Sequence, residues 1–292
     1  MTQVHFRSNG NGAWPVAEFI ASGESAVFVG DAREVLKTVP CEVVQGTVTS
    51  PPYWGLRDYK AKDQIGAEDD PDDYIANVVS VLEEVRRVTR SDGTLWLNIG
   101  DSYTSGDRGW RAPDKKNPVR AMRYRPPTPD GLKPKDLVGI PWKLALAVQQ
   151  AGWYLRADVI WYKPNCMPES VKDRPTRSHE YLFLFSKNER YLYNHEAMNG
   201  PNGRNLRTVW EIPTVPFRGA HFATFPTGLV EQCLRLTTNE GDLVLDPFIG
   251  SGTVGVVALQ ERRRFIGVEL STDYLPLIEC RIREEVQSVL FS

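Results

Sequence analysis

Cysteine and histidine are scarce in this chain, with four of each among 292 residues. Cys41, Cys166, Cys233 and Cys280 stand far apart and form no C-x-x-C pair. Neither structural zinc nor a disulfide framework is therefore expected; buried, reduced thiols in a cytosolic protein are the plain reading, with no metal. No apolar run approaches the roughly 18 residues needed to span a membrane. The first residues lack a basic region followed by an apolar core, so no signal peptide is expected and the expected location is the cytoplasm. A G-x-x-x-x-G-K-[ST] stretch is missing too, which disfavours a phosphate-loop ATPase or kinase. Charge of either sign is not in excess: 35 basic residues face 37 acidic ones, a net of -2. A nucleic-acid partner would then depend on a local basic patch, not on the total.

What is present is a core-forming composition, 41% apolar, and an alternation of strand and helix patterns. Strands are predicted at 25–29, 43–49, 94–99, 154–162, 180–185, 243–246 and 265–269. Helical periods follow Asp31 as far as Pro40, start at Tyr74 (apolar at 75, 78, 79, 82, 85 and 88) and end at Ser91-Asp92-Gly93. Others run over 141–150, 225–236, 253–262 and 272–285. This order predicts an α/β fold, a mostly parallel sheet with helices on both faces, in which 154–162 and 180–185 form an antiparallel pair. Residues 1–24 are poorly periodic and are taken as an N-terminal extension. Residues 188–220 hold short extended pieces and turns without a long helix, a candidate recognition segment. Eight tryptophans are many for this length, most of them expected in the core or at its rim.

Two stretches carry chemistry. Thr49-Ser50-Pro51-Pro52-Tyr53-Trp54 follows a predicted strand. The prolines stop it and fix the chain beyond it, leaving a rigid, flat, partly polar slot at the strand's carboxyl end, where ligands bind in open α/β sheets. Asp246-Pro247-Phe248-Ile249-Gly250-Ser251-Gly252-Thr253 lies between a strand and a helix. Its glycines permit close backbone approach and its helix start offers free N–H groups to an anionic group. A GxG turn alone is weak evidence. Glu269 raises its value, ending the next strand where nucleotide-type sites place a carboxylate on ribose hydroxyls; a surface or capping acid is the plainer alternative. The short spacing from turn to acid suits an adenosine ligand without a pyrophosphate.

Residues 102–139 break the rhythm. They are rich in Pro and Gly and carry Arg108, Arg111, Lys115, Lys116, Arg120, Arg123, Arg125, Lys133 and Lys135 with Trp110 and Tyr124. They read either as a nucleic-acid contact loop or as a solvated insertion. Between 55 and 72 the cluster Glu68-Asp69-Asp70 with Asp72-Asp73 fits a loop beside the slot or a cap on the following helix.

These motifs resemble the S-adenosylmethionine-dependent DNA aminomethyltransferases, across roughly residues 26–285. The resemblance is strongest at 50–53, 246–253 and 265–269. It implies a Rossmann-like fold with a seven-stranded sheet. Because the tetrapeptide precedes the glycine turn, it implies the circularly permuted β class, with catalytic half 25–187, recognition segment 188–220 and cofactor half 221–292. It implies S-adenosyl-L-methionine as cofactor and double-stranded DNA as partner. It leaves open a cognate restriction endonuclease sharing the target site without a stable complex, and monomer or homodimer. Ser50, Pro51, Pro52 and Tyr53 would be catalytic. Asp246 would meet the methionine amino group, with Phe248, Gly250, Ser251, Gly252 and Thr253 beneath it and Phe225 alongside. Glu269 would hold the ribose, and Asp31 would reach the adenine end.

On this resemblance, the Ser50 hydroxyl and Pro51 carbonyl accept hydrogen bonds from an exocyclic amine and free its lone pair for an in-line methyl transfer. Tyr53 stacks on an extruded base, since a duplex hides that amine; Trp54 extends the stack or packs in the core. Serine at position 50 accompanies cytosine N4 more often than adenine N6, which makes an N4-methylcytosine enzyme the first reading and an adenine-N6 enzyme the second. A catalytically silent DNA-binding protein is the rival from another class. Pro40-Cys41 superficially resembles the pair of carbon-5 enzymes but precedes the slot strand, so Cys41 reads as structural. Lys163, Arg174 and Arg177 are phosphate-contact candidates or plain surface charges; His179-Glu180 would order the pocket wall or serve as framework. Arg204 and Arg207, with Asn199, Asn202 and Asn205, are candidates for base edges or phosphates.

Overall fold

The computed structural model describes residues 4–8, 15–56, 64–105, 126–198, 203–215 and 225–290, the side chains of 285–290 excepted. The longest helix shows how local sequence makes the elements. α3 (Pro71–Val88) begins with Asp70 as N-cap, its carboxylate accepting from Asp72 N–H at 2.8 Å, and with Pro71 in the first turn. Asp72 and Asp73 lie at its positive end, Arg86 and Arg87 at its negative end. Tyr74, Ile75, Val78, Val81, Leu82 and Val85 form the buried stripe. The acidic cluster is thus a cap first, as one of its two readings had it.

Nine strands form one sheet: β1 (Val4–Ser8), β2 (Ser25–Val29), β3 (Val44–Thr49), β4 (Thr89–Ile99), β5 (Tyr154–Tyr162), β6 (His179–Ser186), β7 (Val209–Glu211), β8 (Leu243–Asp246) and β9 (Arg264–Glu269). Their order is β1-β2-β9-β8-β3-β4-β6-β5-β7. Every pairing is parallel except those of β6 with β4 and with β5. The seven strands expected are all there, and one edge strand is added on each side. β7, with three residues, is too short for a periodic signal, whereas β1 does alternate at Val4-His5-Phe6-Arg7 but stands alone in an otherwise aperiodic stretch. The N-terminal segment is therefore more than an extension: β1 is followed by α1 (Val16–Ser22), closed by Gly23 in the left-handed conformation.

Alternation along the strands sends side chains into two cores. Ala26 and Phe28 of β2, with Leu95, Leu97 and Ile99 of β4, pack under α1, α2 (Ala32–Val35), α3 and α4 (Ile140–Gln150). Val27, Val48, Trp96 and Val244 point the other way, under α5 (Thr227–Thr237), α6 (Thr253–Gln260) and α7 (Leu275–Leu290). Trp54, Trp96, Trp153, Trp161 and Trp210 are buried. One boundary departs from expectation: α3 stops at Val88 and β4 starts at once, so Ser91-Asp92-Gly93 lies inside the strand. There β3 and β4 shift register, and a Cβ on Gly93 would come within 2.7 Å of the Gln45 carbonyl oxygen. The cysteines depart too: all four are free, but only Cys233 is buried, and Cys41 and Cys280 are exposed. No helix among the described residues is long and apolar enough to cross a membrane.

Candidate active site

The sheet order sets β3 beside β8 and β8 beside β9, so their carboxyl ends lie together. Ser50, Pro51, Pro52 and Tyr53 after β3 share one open cavity with Asp246 at the end of β8, Phe248, Gly250, Ser251 and Thr253 beyond it, Glu269 at the end of β9, Asp31 after β2, and Phe225. Its volume of about 1110 Å³, mouth included, admits a nucleoside-sized ligand with a second group beside it.

The Asp246 wall is held largely by backbone. Asp246, 2% exposed, accepts from the Thr49 hydroxyl at 2.7 Å and from Phe248 N–H at 3.1 Å. Glu269, 6% exposed, accepts from Gly250 N–H at 3.0 Å and Ser271 N–H at 2.9 Å. Burial pushes both carboxyls up to about 7, against the pull of those hydrogen bonds. Two buried acids so poorly solvated suit a ligand that brings positive charge and hydroxyl donors. Gly250 and Gly252 both take positive φ, 52° and 82°, to make the turn. Gly252 does not reach the cavity. It caps α6 from behind, where a Cβ would sit 3.1 Å from Ile278 Cγ2. Arg281 of α7 fastens the turn, donating to the Ser251 carbonyl at 2.7 Å, the Ser251 hydroxyl at 2.8 Å and the Thr253 hydroxyl at 3.1 Å.

Asp31 lines the cavity but is also committed elsewhere. It caps α2 by accepting from Arg33 N–H at 2.8 Å and pairs with the Arg33 guanidinium at 2.5 Å. Burial raises its pKa, but the Arg33 contacts outweigh that and hold it below the usual value.

The Tyr53 wall is built from side chains. The Tyr53 ring lines the cavity while its hydroxyl turns inward, donating to Glu180 Oε2 at 2.8 Å with Asn98 Oδ1 at 3.4 Å. Burial, then the Glu180 charge, raises the phenol well above its ordinary value, so it stays protonated. Gly100 makes room for the ring: a Cβ there would lie 2.9 Å from Tyr53 Cε2.

Of the expected DNA contacts Trp54 is buried, and four others are partly exposed with partners within the fold. Trp54 is 7% exposed, in the core, its indole N–H donating to the Glu68 carbonyl at 2.8 Å. Lys163 pairs with Glu180 Oε1 at 2.5 Å and lies 4.1 Å over the Trp161 ring. Arg174 pairs with Glu169 at 2.6 Å and stacks 3.9 Å over Tyr103. Arg177 faces Asp101 at 3.8 Å. His179 sits edge-on to Tyr181, its pKa lowered by burial and then by Arg177 and Lys163. Arg204, Asn205 and Arg207 are exposed, as a recognition surface requires. Arg120, Arg123 and Arg125, Asn199 and Asn202, most of the basic insertion and residues 220–224 lie outside the described residues. Sequence reasoning missed Thr49, Arg281 and the bond of Glu180 to Tyr53. Thr49 had a signal, directly preceding Ser50; for the other two nothing local marks a partner more than 25 residues away.

Comparisons with known proteins meet this geometry. Residues 44–279 match the N6/N4 DNA methylase family. The type II methyltransferase M.Cfr9I of Citrobacter freundii is 56% identical over 270 residues, covering 91% of this chain and 90% of that protein. M.SmaI of Serratia marcescens is 55% identical over 262 residues, covering 88% and 90%. Among solved structures, the PvuII DNA methyltransferase (cytosine-N4-specific) shares the fold with a TM-score of 0.67 at 21% identity, covering 89% of each chain. The Thermus thermophilus protein TTHA0409, complexed with S-adenosyl-L-methionine, superposes with a TM-score of 0.65 at 26% identity, covering 89% of this chain and 93% of that one.

Proposed function

Because the chain belongs to the N6/N4 DNA methylase family, we propose that its cavity is where a methyl group passes from S-adenosyl-L-methionine to the N4 amine of a cytosine turned out of double-stranded DNA. The chain is a sequence-specific, S-adenosylmethionine-dependent DNA methyltransferase with the permuted Rossmann-like fold. The observation that carries the assignment is that Ser50-Pro51-Pro52-Tyr53 and the two buried carboxylates line one cavity.

The donor set fits the cofactor. When bound, S-adenosylmethionine supplies an electrophilic methyl on a sulfonium that departs as a neutral thioether. Asp246 would hold its ammonium group and Glu269 the ribose hydroxyls, while the Gly250–Thr253 turn backs the methionine portion. Phe225 and Phe248 give the cavity apolar surface.

On the other side, the chain's own groups prepare the acceptor. A cytosine amine is a poor nucleophile because its lone pair is shared with the ring. The Ser50 hydroxyl and Pro51 carbonyl accept its N–H bonds and draw the nitrogen towards a tetrahedral shape. Two consecutive prolines keep those acceptors from relaxing. Tyr53 presents a ring face for the extruded base. Both oxygens of Glu180 are engaged, by Lys163 and by Tyr53; the product proton leaves to water or to the nearby acceptors.

Ser50 supports cytosine over adenine, in line with the description of the PvuII enzyme whose fold this chain shares. Nucleoside analysis of DNA methylated in vitro tests it: N4-methylcytosine is expected, and N6-methyladenine without it overturns the assignment. Residues 188–220 and the basic insertion 102–139 would read the target, with Arg204 and Arg207 exposed for it. The type II designation of the relatives supports a cognate restriction endonuclease sharing the site; protection of DNA against such an enzyme after methylation is the check.

A further inference from the structure

Tyr53 is fastened by an arrangement the methylation chemistry does not require. Its hydroxyl donates to Glu180 Oε2 at 2.8 Å, and the other oxygen of that carboxylate receives the Lys163 ammonium at 2.5 Å. The pair is little exposed, 16% for Lys163 and 17% for Glu180. Lys163 lies 4.1 Å over the ring of Trp161, and the Trp161 indole is tied to the Ile212 carbonyl at 2.8 Å. Asn98 Oδ1 also lies 3.4 Å from the phenol oxygen, its amide fixed by a 3.1 Å bond to the Tyr181 carbonyl. Glu180 and Lys163 come from paired strand ends of β6 and just after β5, where Tyr162 pairs with His179 and Trp161 with Glu180.

A mostly desolvated ion pair contributes little net stability compared with apolar packing, so its value here lies in geometry. We propose that Lys163 and Glu180 are positioning residues for the methyl transfer, holding the Tyr53 ring at one fixed orientation so that the target base stacks in register with Ser50 and Pro51. The inference rests on the reading of Tyr53 as the stacking residue. The ring has one soft rotation about its own axis and one about the Cα–Cβ bond. Gly100 leaves the room in which the ring lies, and the hydroxyl bond to Glu180 fixes the far end of the lever. Lys163 in turn holds the carboxylate, which would otherwise swing to solvent. Misplacement by about 1 Å is enough to cost on the order of 100-fold in rate.

The test measures single-turnover methylation of target DNA, with S-adenosylmethionine affinity measured separately by calorimetry. Tyr53→Phe keeps the ring and removes the strut; Glu180→Ala removes the anchor. Each should slow methyl transfer by about 10- to 100-fold while cofactor affinity stays within about twofold. The double variant should be no slower than the worse single one, because both break the same connection. Lys163→Met should lose about tenfold, and Lys163→Arg should recover most of it. Independent, multiplying losses, or full activity in Tyr53→Phe, overturn the inference. Should Glu180→Ala fail to fold, the Lys163→Met and Lys163→Arg pair decides, because Tyr53→Phe also removes the hydroxyl's hydrogen bond with Ser50. Tyr53→Ala separates the two layers: if it abolishes transfer while Tyr53→Phe is fully active, the stacking reading stands and the positioning inference falls. If Tyr53→Ala is fully active, the stacking reading itself falls.

Discussion

Glu269 is gripped by two backbone N–H groups, those of Gly250 and Ser271; across the same cavity Tyr53 is gripped by the side chains of Glu180 and Lys163. Two walls of one site are thus made by different means. The backbone-held wall owes its shape to a turn with positive φ at Gly250 and Gly252, and the N–H groups on Glu269 come from at most 19 residues away. The side-chain-held wall joins residues 127 positions apart. A backbone cradle tolerates no freedom and presents fixed dipoles to a constant ligand. Side-chain struts can be exchanged residue by residue, which would suit a wall that meets a particular base, as proposed for Tyr53.

Four experiments would break or sharpen this contrast. Asp246→Asn should weaken S-adenosylmethionine binding on the order of 100-fold, since it removes a buried charge aimed at a cation. DNA affinity by gel shift should hardly move; a parallel loss would mean that the walls are not separable. A smaller effect, about tenfold, is expected from pH. Asp246 and Glu269 titrate at about 7 in the ligand-free protein. An ammonium group needs Asp246 ionised and hydroxyl donors are held best by an ionised Glu269, so cofactor affinity should fall between pH 8 and pH 6. The same raised values mean that the folded chain keeps protons the unfolded chain has lost. Their stabilising contribution, full below about pH 4, should therefore fade as pH rises through 7, visible as a falling Tm without cofactor. A flat affinity profile would remove the two acids from the binding reaction.

Next in size is Thr49→Val. It deletes the 2.7 Å bond to Asp246 that favours the ionised carboxylate. Cofactor affinity at neutral pH should drop about fivefold and recover towards pH 9, with Thr49→Ser restoring it. A loss that is the same at every pH would reduce Thr49 to packing. Smallest is Trp54→Phe, which should cost about 1 kcal/mol of stability in denaturant titration by losing the bond to the Glu68 carbonyl. DNA affinity should be unchanged; a weakened complex would return Trp54 to the DNA-facing surface.

This contrast also explains how much was legible beforehand. Strands such as Leu243–Asp246 announce themselves by apolar runs ended by Gly or Asp, and the turn Asp246–Thr253 with Glu269 is a local pattern. The Tyr53 wall was legible only in its first layer, the Ser50–Tyr53 tetrapeptide. Glu180 and Lys163 carry no sign of which group they hold, because the antiparallel pairing of β5 and β6 creates their neighbourhood. Trp54 shows the converse: an aromatic next to a catalytic motif looks functional, yet the 7% of it left exposed assigns it to the core. Lys163 and Arg174 read on paper as free cations, and in the fold each has an acidic partner that the sequence does not mark. β7 stayed invisible because three residues carry too little period to stand out, whereas β1, no shorter than β2, alternates apolar and polar at Val4-His5-Phe6-Arg7 and had a signal that was passed over.

The order of the sheet also bears on how the chain is born. β8 and β9 lie between β2 and β3, yet they are translated long after both. While the ribosome is still making the middle of the protein, β2 and β3 each present an open edge, and the gap between them can close only when residues 243–269 emerge. Bonds such as Thr49 to Asp246, spanning 197 residues, make for slow, late consolidation and a window in which chaperones matter. That delay has a safeguard built into it. The acids that would hold the methyl donor arrive last, so a half-made chain has no means of modifying DNA.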